Sequence, residues 1–130
     1  MATIERFEDL EIWKLARELA LEIYNETLEG TFANDNDLKW QIRKSWGSVM
    51  DNIAEGFERD GKPEFLQFLS IAKGSAGETR SQLHRALDRK HVSQEKFEKY
   101  LEKSMNLIRK ISRFMTYLKE SNYKGTKYKK

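Results

Sequence analysis

The sequence predicts an all-α protein, specifically an antiparallel up-down-up-down four-helix bundle. Three observations support this fold class. Apolar residues recur at spacings of three and four in four long segments, the connecting segments are short, and no segment alternates apolar and polar residues as a half-buried strand does. The 130 residues include one proline and seven glycines, too few for a protein built from many β-turns. Short connections place consecutive helices side by side in opposite directions.

The first predicted helix spans about residues 9–28, from the periodicity of its apolar residues. Glu8 and Asp9 lie near its N-terminus, where the helix dipole favours negative charge. We expect Gly30 to end it. The predicted apolar stripe consists of Trp13, Ala16, Ala20, Ile23 and Thr27.

The second predicted helix begins after a polar connector at residues 31–37. Asp35 and Asp37 are both plausible N-caps, because an aspartate side chain accepts hydrogen bonds from the first free backbone N–H groups. We expect Gly56 to end this helix in a left-handed turn. The predicted stripe consists of Leu38, Ile42, Trp46, Val49, Ile53 and Phe57.

The third and fourth predicted helices complete the bundle. Pro63 suits a first helical position, where a missing N–H leaves no bond unmade, and the third helix ends in the basic residues 89–91. Ser93 is the predicted N-cap of the fourth helix, which runs to about Ser121. We place the bundle domain at residues 1–121 and a basic C-terminal tail at residues 122–130.

Composition and motifs exclude several kinds of site. The chain has no cysteine, which excludes zinc–thiolate sites, cysteine nucleophiles and disulfides. Neither His84 nor His91 follows a glutamate by three residues, as helical di-iron sites require. Spacing alone leaves open whether a serine, a histidine and a carboxylate come together. We expect no enzyme activity, no cofactor and no metal ion. With no signal peptide and no long apolar run, we expect a cytoplasmic protein without membrane contact.

The net charge of +3 conceals an uneven distribution. Residues 1–37 hold three basic and ten acidic residues, whereas residues 38–130 hold 21 basic and 11 acidic ones. The tail contributes four lysines and no acid, so the rest of the chain has 20 basic and 21 acidic residues. Such a split indicates either an interaction surface or ordinary solvated helix faces.

Basic residues of the second half are the candidate nucleic-acid contacts. Lysine and arginine neutralise phosphates, and the tail tyrosines are of the kind that stack on bases. Glu98 and Glu102 dilute the patch. The candidates are Lys73, Arg80, Arg85, Arg89, Lys99, Lys103, Arg109, Lys110, Arg113, Lys124, Lys127, Lys129 and Lys130.

The fourth predicted helix carries more apolar width than one bundle stripe needs. Tyr100, Leu107 and Phe114 form a second row at spacings of seven, and Trp40 is similarly displaced on the second helix. Extra apolar width favours self-association, so these four residues are the candidate oligomer interface. The alternative is that they form the half-buried edge of a monomeric core.

A polar cluster is predicted from Asn52, Glu55 and Arg59, with Glu78 on the third helix. The cluster is either a ligand site or a hydrogen-bond network that fixes the register of the helices. We interpret it as the structural network.

Several segments resemble the 23S rRNA intervening-sequence protein family, also called four-helix bundle proteins. They are residues 7–13 (FEDLEIW), 41–45 (QIRKS), 52–57 (NIAEGF) and the pattern of residues 64–78, and the resemblance covers about residues 5–120. The sequence departs from the family at Met50 and Asp51, where a proline and a small residue are common, and at Gly77, where the family has a larger residue.

The resemblance implies a small bacterial bundle that assembles as a ring, with a pentamer favoured, and it implies no catalytic residues. The family name describes where its genes lie. The accessory protein of diversity-generating retroelements, a basic pentamer that works with a reverse transcriptase and nucleic acid, is a more distant resemblance.

We therefore expect a non-enzymatic, ring-forming helical protein that binds RNA or DNA through the basic residues of its second half and tail. The alternative is a protein-interaction scaffold without nucleic-acid binding. In that case the acidic first helix and the surplus apolar face dock a protein partner or neighbouring subunits.

Overall fold

The computed structural model describes residues 3–121 and the backbone of residues 128–129, with side chains described for residues 4–121. Its helices are α1 (Glu11–Glu26), α2 (Gly30–Asn34), α3 (Asn36–Glu58), α4 (Lys62–Asp88) and α5 (Gln94–Glu120), and a 3-10 turn (Phe7–Asp9) precedes α1. Two short strands, β1 (Thr3–Ile4) and β2 (Tyr128–Lys129), pair antiparallel. The predicted tail contacts Lys124, Lys127 and Lys130 lie outside the described residues, and only the backbone of Lys129 is described.

The four long helices form the predicted all-α bundle. Helix α3 packs against α1 and α4, and α5 packs against α4 and α1, so the order around the bundle is α1, α3, α4, α5. Side-chain contacts run in opposite directions along each neighbouring pair, as expected for up-down-up-down topology. Within the described part of the chain, no helix is long and apolar enough to cross a membrane.

The predicted stripes of the long helices meet in one core. Each large apolar side chain removed from water there contributes roughly 1.5–3 kcal/mol to folding. The polar end of the buried Trp46 is satisfied, because its Nε1 donates to the carbonyl of Ala16 at 2.7 Å. The largest fully buried side chains are Trp46, Phe32, Phe65, Leu19, Ile23, Leu38, Ile42, Ile53, Leu69, Leu83 and Leu107.

The surplus apolar width of α5 is used largely inside the chain. Tyr100 and Leu107, predicted at an oligomer interface, are buried in the chain's own core. Phe114 is half-buried and packs edge-on against Phe65, with ring centroids 5.6 Å apart. A side chain that is buried in its own core cannot contact another copy of the chain. Of the four residues predicted at the interface, Trp40 is the one whose side chain is largely exposed.

Gly56 does not end α3, contrary to the prediction. The helix continues to Glu58, and the left-handed backbone follows at Asp60, with φ of 56°. A Cβ atom on Gly56 would lie 2.7 Å from Cβ of Phe68 and 2.9 Å from Cδ1 of Phe65. The glycine is therefore required by the close approach of α4 rather than by a turn.

The connector predicted at residues 31–37 contains a helix. Helix α1 ends at Glu26, and Gly30, with φ of 56°, begins the one-turn helix α2 instead of ending α1. Phe32 of α2 is fully buried, so α2 closes one end of the bundle core. Residues 31–37 contain a single large apolar side chain, Phe32, so they show no repeating apolar pattern. Sequence reasoning missed this helix for that reason.

The predicted N-caps of α3 and α5 are confirmed at Asp35 and Ser93. Asp35 Oδ1 accepts from the backbone N–H of Leu38 at 3.2 Å, and Ser93 Oγ accepts from that of Lys96 at 3.1 Å. Pro63 is the second residue of α4, one position after the first helical position predicted for it, and it lies within the first turn.

Asp35 also joins the two turns at one end of the bundle. Its Oδ2 accepts from Arg89 at 2.7 Å and lies 2.8 Å from Nε2 of His91. The other ring nitrogen of His91 lies 2.8 Å from Oγ1 of Thr31, and the ring stacks on Phe32 at 5.1 Å. Hydrogen bonds from His91 and then Arg89 lower the pKa of Asp35 to about 2.

Gly56→Ala tests the close approach of α3 and α4. We expect this substitution to lower the free energy of unfolding by roughly 1–3 kcal/mol, because the new methyl group overlaps two phenylalanine side chains. Gly74→Ala is the matched control, since nothing lies within 4 Å of a Cβ there and alanine favours a helix interior by roughly 0.5–1 kcal/mol. Urea denaturation measures both, and a Gly56→Ala protein as stable as the wild type contradicts the interpretation.

The Asp35 interactions predict a specific pH dependence of stability. Because the folded pKa is depressed, this carboxylate stabilises the fold above its unfolded pKa near 4 and loses that contribution as the pH falls to about 2. At pH 7 we expect Asp35→Asn to cost ~2 kcal/mol, and the gap between wild type and variant to close below pH 3. Urea denaturation from pH 7 to pH 2 measures it, with the exposed Asp51→Asn as control; a gap that does not vary with pH refutes the assignment.

Candidate functional site

The predicted cations of α5 face the carboxylates of α1. Lys103 Nζ lies 2.5 Å and Lys99 Nζ 3.9 Å from Oε1 of Glu22, and Lys110 Nζ lies 2.9 Å from Oε1 of Glu11. The acidic first helix and the basic last helix thus neutralise each other as neighbours within one chain. This pairing accounts for much of the uneven charge distribution and withdraws these lysines from a free basic patch.

Tyr100 takes part in the same α1–α5 contact. Its hydroxyl donates to Oε1 of Glu26 at 2.5 Å, and Lys96 lies 3.3 Å from the same carboxylate oxygen. Burial, followed by this hydrogen bond to a carboxylate, raises the pKa of Tyr100. The residue is a neutral, buried donor that links the two helices.

Three other predicted cations also have partners. Arg85 donates to Oε1 of Gln41 at 3.0 Å, Arg89 to Asp35, and Arg109 to Oε1 of Glu102 at 2.8 Å. The structure therefore does not gather the predicted cations into one surface.

Lys73, Arg80 and Arg113 are placed differently. Lys73 and Arg80 are half-buried on α4, and Nε of Arg80 is buried without a hydrogen-bond partner in the described part of the chain. Arg113 is exposed near the end of α5, where it borders a cavity of about 270 Å³. This cavity is lined by Ile4, Leu10, Glu11, Ile12, Lys110, Arg113 and Phe114.

Apart from Ile71 on α4, the exposed large apolar side chains of the described residues lie along α1, the turn after it and α3. We call these residues, Leu21, Tyr24, Leu28 and Trp40, the aromatic face. Their exposed fractions are 62%, 46%, 53% and 62%. The guanidinium of Arg43 lies 4.5 Å from the ring centroid of Tyr24 and 5.1 Å from that of Trp40. Sequence reasoning selected Trp40 alone. The available signal was the spacing of Leu21, Tyr24 and Leu28, at i, i+3 and i+7 outside the core stripe, although Leu28 lies in the turn after α1.

A shallow groove continues the aromatic face along α1 and α3. It is lined by Lys14, Arg17, Glu18, Ala20, Leu21 and Met50. The aromatic face and the groove together follow most of the length of the α1–α3 contact. Arg43 is the charged residue that lies between the rings of the aromatic face, and it forms no ion pair among the described residues.

The predicted polar cluster divides into separate contacts. Asn52 donates to the carbonyl and to the hydroxyl of Ser48, at 2.7 and 2.9 Å. Glu55 and Arg59 form an exposed ion pair at 2.7 Å, one turn further on. Glu78 lies on α4 beside a different group of side chains, so the four residues do not form one site.

A continuous line of polar contacts, which we call the polar seam, joins α3 and α4. Ser45 Oγ lies 2.7 Å from Oγ1 of Thr79 and donates to Oε1 of Gln82 at 2.6 Å, and Ser48 Oγ lies 2.9 Å from Oγ of Ser75. Sequence reasoning missed the seam, although polar residues within otherwise apolar stripes were a signal for it.

The seam opens on one side into a cavity of about 320 Å³, which we call the polar cavity. Its lining comes from both helices and consists of Gln41, Lys44, Ser45, Ser48, Ser75, Glu78 and Gln82.

A threonine, a histidine and a carboxylate do come together, at Thr31, His91 and Asp35. Asp35 is shared with Arg89 and with the start of α3, and the histidine ring is 8% exposed and stacked on Phe32. These contacts fix all three groups in place, which suits a structural link between turns. Among the described residues, no group of three or more histidine, aspartate or glutamate side chains is arranged to hold a metal ion.

Comparisons with known proteins agree on the fold. The chain is similar to a protein of unknown function from the S23 ribosomal protein family of Bacteroides thetaiotaomicron, whose crystal structure matches with a TM-score of 0.70. That match has 21% sequence identity and covers 80% of this chain and 97% of the other. No curated protein matches the sequence. The family described as 23S rRNA-intervening sequence protein matches residues 8–113, and the chain therefore belongs to this family.

Proposed function

We propose that this protein is a non-enzymatic helical protein that assembles with copies of itself through the aromatic face, forming a ring for which we favour five copies. The observation that carries the proposal is the exposure of four large apolar side chains on α1, on α3 and in the turn that follows α1. Such patches on a small protein mark interaction surfaces, and aromatic residues and arginine are enriched in interface cores.

Charge supports association of like chains. The helices α1 and α5 neutralise each other, and residues 1–121 carry 20 basic and 21 acidic residues, so two copies do not repel strongly. Arg43 is already held between two rings and donates to Thr27 at 2.8 Å, so its position is fixed before a partner arrives. Pre-ordered side chains lose less conformational entropy on association.

A closed ring requires that one surface of a copy contact a different surface of the next, with a rotation that closes. The five-fold number comes from the family resemblance alone. A scaffold that docks a different protein on the aromatic face is the alternative, and the mass of the purified protein separates the two.

Polar substitutions on the aromatic face test the assembly. We expect the wild type to elute with a mass several times 15.4 kDa in light scattering, and Leu21→Ser/Trp40→Ser to move it toward 15.4 kDa, because the apolar contact is lost. Ile71→Ser, at a side chain 44% exposed on α4, is the matched control and is expected to leave the mass unchanged. A monomeric wild type overturns the proposal.

RNA or DNA binding is the second candidate function. The residues we propose for it are Arg113 and the lysines of the tail, because the other basic residues of α5 pair largely with carboxylates of the same chain. Strand β2 pairs with Thr3 and Ile4, and Ile4 lines the same cavity as Lys110 and Arg113. The described backbone of Tyr128 and Lys129 therefore lies beside Ile4, which borders the same cavity as Arg113. The similar structure is described as from the S23 ribosomal protein family.

Titration against RNA and DNA at several salt concentrations tests this candidate. We expect truncation after Ser121 to weaken binding and to reduce the slope of log K against log salt by up to roughly 3 for a single strand, because four lysines are removed. Arg113→Gln should weaken binding more than Lys103→Gln, since Lys103 is already paired with Glu22. Absence of binding at low salt refutes the candidate.

A further inference from the structure

The polar cavity between α3 and α4 has the composition of a binding site for a small hydrophilic molecule. Its volume is about 320 Å³, and all seven lining side chains are polar. A helix contact needed for packing alone is made best from apolar side chains without buried hydroxyls. The polar seam accounts for Ser45, Ser48, Ser75 and Gln82, whereas Lys44 and Glu78 line the cavity without taking part in the seam.

The floor of the cavity holds an amide group that the protein does not fully use. Gln82 is 6% exposed and accepts from Ser45 through Oε1, but its Nε2 has no hydrogen-bond partner among the described residues. The side chain is buried as a whole but its Nε2 is not among the enclosed atoms without a partner, so this N–H group faces the cavity and the water or molecule it holds. Ser48 and Ser75 line the same cavity, and their hydroxyl oxygens lie 2.9 Å from each other.

The rim carries opposite charges on opposite helices. Lys44 of α3 and Glu78 of α4 both line the cavity, and neither has an ion-pair or hydrogen-bond partner among the described residues. Lys44 and Glu78 do not form an ion pair with each other. A ligand that carries both a negative and a positive group could therefore form a charge-assisted hydrogen bond with each of them.

Other ligand classes fit less well. None of the seven lining residues is aromatic, so a nucleobase has no ring on which to stack. The carboxylate of Glu78 repels a phosphate group. An apolar ligand would leave Nε2 of Gln82 and the two charged side chains without partners.

We propose that the polar cavity binds a free α-amino acid with a polar side chain. The ligand carboxylate lies toward Lys44, its ammonium group toward Glu78, and its side chain bonds to Nε2 of Gln82 and the serine hydroxyls. This site is separate from the aromatic face and does not depend on the proposed assembly.

Calorimetric titration of the full chain with L-serine, L-asparagine and L-glutamine, paired with thermal unfolding, tests the proposal. We expect at least one of the three to bind saturably and to raise the Tm. The N-acetyl derivative and the amide of that amino acid should each bind at least roughly tenfold more weakly, because each lacks one charge. Sorbitol is the neutral polar control and should not bind.

Two conservative variants locate the site. Lys44→Gln and Glu78→Gln should each weaken binding roughly tenfold or more while circular dichroism shows an unchanged fold, since both side chains are exposed. Lys119→Gln, at an exposed position near the end of α5, should bind as the wild type does. The proposal is overturned if none of the amino acids binds at about 10 mM, if sorbitol binds equally well, or if both cavity variants keep full affinity.

Discussion

Helices α3 and α4 approach each other so closely that Gly56 has no room for a Cβ atom. Small residues along the rest of the polar seam keep the two helices at this short separation. Each buried hydroxyl of the seam needs a partner, and Ser45 finds Gln82 while Ser48 finds Ser75. A slip of one turn would break these pairs and place a residue with a side chain where Gly56 meets Phe65 and Phe68, so the seam and this contact fix the register of the hairpin on which α1 and α5 pack.

The contact between α1 and α5 works on a different principle. Exposed ion pairs such as Lys103–Glu22 contribute little stability individually, and the buried stripes of the two helices hold them together. The pairs matter for function because a lysine beside a carboxylate attracts a phosphate less than a free lysine does. The charge of this protein is therefore better described as complementarity between two neighbouring helices than as a basic surface.

The fold followed from the sequence because periodicity, caps and connector lengths are local properties. Asp35, Ser93 and Pro63 each act through atoms within about one turn of themselves, so their roles could be assigned from composition and spacing. Gly56 shows where this reasoning ends. A glycine near a helix end satisfies the rule for a terminating turn equally well, and its actual role depends on Phe65 and Phe68 of another helix.

The candidate sites were predicted less well for the same reason. Tyr100 lies beyond the usual stripe, yet Glu26 offers its hydroxyl a buried acceptor, and that pairing is visible only once α1 and α5 are side by side. The polar cavity depends on which small residues face each other across α3 and α4. Periodicity tells which side of a helix is buried but leaves unspecified the partner that covers it.

Two adjacent residues of α3 show how the fold separates the surfaces. Arg43 lies between the rings of the aromatic face, and Lys44 lies on the rim of the polar cavity, because successive helical residues point about 100° apart. A partner covering Arg43 thus leaves Lys44 on a neighbouring side of the bundle. The polar seam and the contact at Gly56 hold α3 against α4. A partner bound at the aromatic face can therefore alter the polar cavity only by moving α3 relative to α4.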